Sequence, residues 1–248
     1  AIGDFAEEAV ASRADDIEKL DEALSREFMT QMGEMGMLGL DVPEKYGGMG
    51  LDKTAAALAL EAMGRSASSS LMVTVTDHTG IGLLPILWYG NDEQREKYIP
   101  KMMTGEWMSS YALTEPGAGS DLANLSTKAV LDGDNYMING SKTWTSDAKD
   151  CDYIFALVRT SPDKPKHDGI SLVLIDMSQP GVRVSPIQLI SGASPFCETY
   201  FEDAIVPKED LIGGVDHGWT VGKRLLQFER STHAGINISG SQGGRVET

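Results

Sequence analysis

Glu229 lies in the last strongly patterned stretch of the 248-residue chain, "GWTVGKRLLQFERSTHAGINI". Helical periodicity flanks it with Leu225, Leu226 and Ile236 and puts Trp219 and Val221 at the edges of the same apolar arc. A carboxylate there is costly unless paired or put to use, and desolvation raises its pKa toward that of a general base. Two readings stand: proton abstraction from a bound substrate, or a buried structural ion pair beside Arg230. A second candidate is the loop "YALTEPGAGSDL", residues 111–122. Gly117 and Gly119 permit close backbone approach, and Thr114 and Ser120 bring hydroxyls. It is not a Walker A loop, because no Gly-Lys-Ser/Thr follows, and it lacks the third glycine of the dinucleotide fingerprint. Taken alone, "TEPGAGSD" reads equally as a domain-connecting turn or as a loop whose amides face a ligand. A third candidate is "KTWTSD", where Trp144 and Ser146, two apart on a strand, face the same side. A core or interface tryptophan is the other reading of Trp144.

These residues need elements to position them. Residues 5–40 and 52–110 read as helical: Leu24, Phe28, Met32 and Met35 recur at spacings of three and four, and "DKTAAALALEAMG" is nearly all strong helix formers. The segment "GNDEQREKYIPKMMTGEW" reads as a capped helix with Tyr98 and Met102 on one face. From about residue 111 the texture changes to short alternating runs, "STKAVLDGDNYMINGSKTWTS", "DYIFALVRT", "ISLVLIDM", "VRVSPIQLI" and "CETYFEDAIVP", with a hairpin turn expected at Asp132-Gly133. Helix returns after "DLIGGVDHG". The expected fold class is α+β: a helical bundle over 1–110, a middle β-barrel or sandwich over 111–214, and the first helix of a further helical domain over 215–248. That last helix has to bury its apolar face, either on this chain or against a domain absent from it.

Composition limits the classes of function. The hydrophobic content of 41% supports a large core, and the formal charge of −16 with scattered Lys and Arg repels a phosphate backbone, so no nucleic-acid partner is expected. The longest apolar run, near "IGLLPILWYG", is interrupted by glycine and proline and falls short of the roughly 20 residues of a membrane span. Cys151 and Cys197 form neither a disulfide framework nor a metal-ligand pattern, so no metal is expected and a reducing compartment fits. With no basic and apolar leader at Ala1, the expected location is cytoplasmic, or the mitochondrial matrix in a eukaryote.

In combination the motifs are more specific than any one of them. The helical block, "YALTEPGAGSDLANLSTKA", "YMINGSKTWTSDA", the β block, "FEDAIVPKEDLIGG" and "GWTVGKRLLQFER" resemble the acyl-CoA dehydrogenase family at every landmark and in the same order. The likeness covers almost the whole chain, with "MGMLGLDVPEKYGGMGL" and "YGNDEQREKYIPKMMTGE" as supporting landmarks. It implies FAD as cofactor, an acyl-CoA thioester as substrate, an electron-transfer flavoprotein as acceptor, and a homo- or hetero-oligomer built as a dimer of dimers. It further implies that Tyr111, Leu113, Thr114, Gly119 and Ser120 meet the flavin and its pyrophosphate, Ser120 also reaching the CoA chain. Trp144 would stand against the flavin, with the Ser146 hydroxyl near its reducible edge. Here the chain departs from the family pattern: Thr145, Ser146 and Asp147 replace the usual apolar residue, threonine and asparagine.

Most members carry the catalytic glutamate in the C-terminal domain, whereas the isovaleryl and long-chain types carry it on this helix, just before an arginine. Glu229-Arg230 matches the second arrangement. The resemblance therefore offers Glu229 as the base and Arg230 as a CoA-facing or structural residue, with a carboxylate outside this chain as the alternative, since the same pair also occurs in relatives whose base lies elsewhere. His78, in "TDHTG", either touches the acyl group or serves a surface or capping role. Glu115 and Asp121 are expected to organise the loop through backbone hydrogen bonds. Rival readings are an oxygen-using relative such as an acyl-CoA oxidase, a non-catalytic or half-site partner subunit, and a β-barrel interaction module with a helical cap.

Overall fold

The computed structural model describes residues 1–19 and 22–239, the side chains of residue 22 and residues 231–239 excepted. The "SGSQGG" tail beyond Ser239 and the side chains of His233 and Ile236 lie outside the described part. Eight α-helices are described: α1 (Ile2–Asp4), α2 (Ala14–Ile17), α3 (Glu22–Glu34), α4 (Lys53–Met63), α5 (Ser69–Thr76), α6 (Leu83–Tyr89), α7 (Asp92–Met103) and α8 (Gly218–Ser239). Eight strands lie between α7 and α8: β1 (Ser109–Ala112), β2 (Lys128–Asp132), β3 (Asn135–Ser146), β4 (Tyr153–Arg159), β5 (Ile170–Asp176), β6 (Val182–Ile187), β7 (Phe196–Pro207) and β8 (Leu211–Ile212).

The helices form where caps and apolar spacing agree. In α7 the Asn91 side chain accepts from Gln94 N at 2.8 Å and the Gln94 side chain accepts from Asn91 N at 2.9 Å, a reciprocal capping box. Tyr98 and Met102 lie buried on one face of that helix, as their spacing predicts. The Gln94 amide also donates to the carbonyls of Glu209 (2.6 Å) and Leu211 (2.9 Å), so the cap fastens the helical layer to β8. Leu24, Phe28 and Met32 form a buried seam, but Met35, expected in it, is 37% exposed. The helix stops at Glu34 and Gly36 takes φ +74°, which swings Met35 off the seam.

One helical path is apolar over a longer span than the sequence predicts. Ser69–Tyr89 runs for 21 residues and is long and apolar enough to cross a membrane. Of its most apolar window 67% is buried inside the fold, so the hydropathy serves the interior of this structure. Gly80, Gly82 and Pro85 do not break the path, because Asp77–Gly82 forms a π-turn in which Leu83 N bonds back to His78 O. Such a bulge adds one residue to a turn and re-aims the side chains on it. A Cβ on Gly82 would stand 2.0 Å from Ser109 Oγ, so only glycine lets this turn press against β1.

The barrel-or-sandwich expectation resolves into one eight-stranded sheet of order β6-β7-β3-β2-β4-β5-β8, with β1 paired in parallel to β4. The β2–β3 turn is set one residue later than expected. Asp132 pairs with Asn135, and Gly133, at φ +60°, is the first of the two central residues. In β4 and β5 the period of two divides the core. Phe155, Leu157, Leu172 and Leu174 pack with Tyr98, Ile99 and Met102 of α7, whereas Ile154, Ala156, Val173 and Ile175 pack with Phe201 and Val206 of β7. Helix α8 docks on the first of these clusters through Val221 and begins against β5 at Gly218, where a Cβ would meet Ser171 C at 2.3 Å. The apolar side of that helix is thus satisfied at least in part within this chain.

Candidate active site

The π-turn, β1, the end of β3 and α8 enclose a cavity of about 460 Å³. Tyr111, Leu113, Thr114, Trp144, Ser146, His78 and Glu229 all line it, although they come from four separate segments. Gly119, Ser120 and Arg230, the other expected site residues, do not line it. Gly119 and Ser120 lie further along the loop and are exposed; Arg230 follows Glu229 by about 100° on the helix and is exposed as well.

The "TEPGAGSD" loop is held from beneath by a buried ion pair. Glu115 accepts from Ser126 N (2.6 Å), Ser126 Oγ (2.8 Å), Thr127 N (3.0 Å) and Lys142 Nζ (2.8 Å). Lys142 spends its remaining protons on the carbonyls of Leu113 (3.1 Å) and Leu157 (2.7 Å). Burial alone would raise the Glu115 carboxyl, but the Lys142 charge and these hydrogen bonds outweigh it and hold it down at about 2. Burial pulls the Lys142 ammonium down to about 8, against the opposing pull of Glu115, so the pair is ionised at neutral pH. Glu115 therefore organises the loop as expected, whereas the Asp121 carboxylate pairs with exposed Lys166 instead. A second tie, Thr143 N to Thr114 O at 2.9 Å, fixes the loop against β3. At Gly117 and Gly119 an added Cβ would meet nothing within 4 Å, so the surface before them is open.

The end of β3 is not a regular strand. Its register against β7 shifts between Lys142 and Thr145, and Trp144 takes φ +61°. Thr143 and Trp144, adjacent in sequence, both line the cavity, so the bulge rather than strand alternation aims the indole. Trp144 is 55% exposed and meets Phe196 edge-on at 5.9 Å, which removes the core reading. Asp147, at φ +50°, continues the irregular backbone.

His78 has both ring nitrogens engaged by backbone: Nε2 pairs with Met102 O at 2.8 Å, and Nδ1 accepts from Ser109 N at 3.4 Å. Burial lowers its pKa, so the ring is neutral and braces the π-turn against β1. Its expected contact with an acyl group gives way to this bracing role. Glu229 is half-buried and faces the cavity beside Leu226. The Tyr111 hydroxyl is buried with no partner among the described residues, and burial together with the Glu229 charge raises its pKa.

Two cavity acids escape the sequence reading. Asp77 Oδ1 is buried and finds no hydrogen-bond partner among the described residues. Burial, then the charges of Asp147 and Glu229, push its carboxyl up to about 7. Asp147 accepts from Thr74 Oγ1 at 2.9 Å, and burial raises its pKa despite that bond. The available signal was an acid set in the otherwise apolar run around "TVTDHTGIGLLPI".

The comparisons with known proteins agree with this geometry. Residues 1–106 match the acyl-CoA dehydrogenase N-terminal domain and residues 110–204 the acyl-CoA dehydrogenase middle domain. An acyl-CoA dehydrogenase of Bacillus subtilis is 35% identical over 231 residues, covering 92% of this chain and 60% of that protein. The mitochondrial isovaleryl-CoA dehydrogenase of Pongo abelii is 32% identical over 238 residues, covering 94% of this chain and 56% of that protein. Among solved structures, an acyl-CoA dehydrogenase from Geobacillus kaustophilus superposes with a TM-score of 0.87 at 36% identity, over 96% of this chain and 62% of that one. One from Bacillus anthracis, complexed with FAD, gives 0.87 at 34% identity, over 96% and 41%. A helical layer followed by this sheet and cavity defines the class. The chain belongs to the acyl-CoA dehydrogenase family, and it spans between 38% and 60% of the length of three curated relatives that it matches.

Proposed function

We propose that this chain binds FAD and an acyl-CoA thioester and takes part in α,β-dehydrogenation of the acyl group, with electrons passing on to an electron-transfer flavoprotein. The observation that carries this reading is the convergence of Tyr111, Leu113, Thr114, Trp144, Ser146 and Glu229 on one cavity. The residues fit the cofactor: the surface before Gly117 and Gly119 is open, the Tyr111 hydroxyl has no partner among the described residues, and an aromatic ring stands half-exposed at Trp144. When bound, FAD supplies the acceptor for the hydride that leaves the β carbon. Leu113 and Thr114 orient it from a loop braced by the Lys142–Glu115 pair, while Trp144 excludes water from one side and the Ser146 hydroxyl offers a hydrogen bond. Glu229 accepts the α proton at its carboxylate; Val73 and Ile81 on the facing helix contribute apolar wall for the acyl chain.

Two buried cysteines, both free, support a reducing compartment, for which the cytoplasm is our choice. Assembly as a dimer of dimers remains part of the same proposal. An anaerobic absorbance titration of the purified protein with straight, branched and bulky acyl-CoA esters tests the reading. A flavin band that one ester class bleaches supports it, and oxygen uptake on re-aeration separates an oxidase from a dehydrogenase. A band that no ester bleaches supports the non-catalytic partner subunit. Colourless protein that FAD does not reconstitute sinks the reading.

A further inference from the structure

The cavity has two walls of different chemistry. Tyr111, Leu113, Thr114, Trp144 and Ser146 come from the sheet side, the side assigned above to the cofactor. Val73, Thr74, Asp77, Ile81 and Gly82 come from the α5–α6 path opposite. Within that second, otherwise mostly apolar wall, the π-turn delivers one carboxyl group, Asp77, whose Oδ1 is withdrawn from solvent and unbonded among the described residues. An alkyl chain laid along this wall leaves that oxygen unsatisfied, whereas a hydroxyl or carbonyl on the chain satisfies it.

The two polar neighbours on the same path are already engaged, and no described residue bonds Asp77 Oδ1. Thr74 gives its hydroxyl proton to Asp147 or to Ser70 O, and the His78 ring nitrogens are both engaged by backbone. The charged groups that act on Asp77 are Asp147, from the turn after β3, and Glu229, from α8; both are carboxylates and both favour its neutral form. Lys149 acts on Asp147. A neutral carboxyl can donate as well as accept, and it stands next to two acids that repel any anion entering the cavity.

We propose that Asp77 is a specificity-determining residue that selects acyl groups bearing an uncharged hydroxyl or carbonyl over plain alkyl and carboxylate-bearing ones. This rests on the acyl-thioester reading of the same cavity. Discrimination of this kind is strong, because a site with a buried polar group penalises the analogue that leaves it unpaired.

The test is calorimetric titration of the FAD-loaded protein at slightly acid pH. The probes are matched short- and medium-chain acyl-CoA esters with and without a terminal hydroxyl or oxo group, plus the corresponding carboxylates. The best hydroxyl or oxo ester is expected to bind at least about tenfold more tightly than its plain counterpart, with the carboxylate weakest. Asp77→Asn, which keeps a donor and an acceptor, retains the preference; Asp77→Leu reduces it to roughly twofold or less. Plain esters that bind as tightly as substituted ones overturn the inference and leave the acyl-thioester reading intact, and so does a preference that survives Asp77→Leu. Binding of no ester at all overturns both.

Discussion

Two clusters of charged side chains beside the cavity are built in opposite ways. Beneath the glycine loop, Lys142 and Glu115 are 0% and 3% exposed as side chains, and each is bonded to backbone or hydroxyl groups as well as to the other. Across the cavity, Asp77 and Asp147 are held near Glu229 with like charge and with one oxygen unpartnered among the described residues. A completed network is a structural device, since its donors and acceptors are already spent. An uncompleted one, even half-buried as Asp77 and Asp147 are, carries a standing cost at its buried oxygen, which a ligand can relieve.

Removing Glu229's charge should expose the contrast most strongly. Glu229→Gln is expected to lower turnover by about 10²- to 10⁴-fold, the range of a lost general base, in single-turnover flavin reduction. It also removes one repulsive neighbour, so the Asp77 pKa should move down from about 7, as carboxyl spectroscopy would register. Unchanged turnover would shift the base out of this chain. Next comes Lys142→Met, which strands the Glu115 carboxylate. A loss of about 3–5 kcal/mol is expected, or about 6–20 °C in Tm, and reading it by thermal unfolding would show whether the completed pair is structural.

The opposite sign is expected at Asp77. Its folded pKa of about 7 lies above the unfolded value of 3.8, so between these the unfolded state binds fewer protons and stability falls as pH rises. Asp77→Asn lacks that slope. It should therefore unfold at higher temperature than the wild type at pH 8, by on the order of 1–3 kcal/mol, and show little gain below pH 4. Thermal scans at the two pH values test this, and a loss of stability at pH 8 would mean the carboxylate is paired. The smallest effect belongs to Trp144→Ala. Half-exposed, it should alter stability by less than about 0.5 kcal/mol, yet weaken FAD affinity roughly 2- to 10-fold through lost ring contact. Fluorescence titration with FAD measures it.

What the sequence shows of this site follows from what is local. The loop from Tyr111, the Trp144–Ser146 pair and Glu229 are legible because short motifs and a helical arc carry them, and the structure brings them to one cavity. Gly119, Ser120 and Arg230 belong to the same motifs, but which members of a motif face inward depends on loop path and helix phase. Asp77 was overshadowed by His78, whose ring invites chemistry but spends both nitrogens on backbone. The π-turn that presents Asp77 leaves no trace in a 3.6-residue periodicity, and the bulge at Trp144 leaves none in a period of two. The fold class was legible throughout. The hairpin at Gly133 was misplaced by one residue and the end of α3 by six, because turn and helix ends are settled by pairing and packing beyond the local sequence.

The bonds that fasten the helical layer to the sheet span long stretches of sequence. Arg26 of α3 bonds Asp150 O and the Asp152 carboxylate, 124 and 126 residues ahead, and Gln94 bonds carbonyls 115 and 117 residues ahead. At about 5–20 residues per second, a ribosome needs roughly 6–25 s to deliver Asp152 after Arg26 has been synthesised. For that interval the groups that these docking residues of the helical layer bond are not yet made, so the layer-to-sheet interface closes late in synthesis.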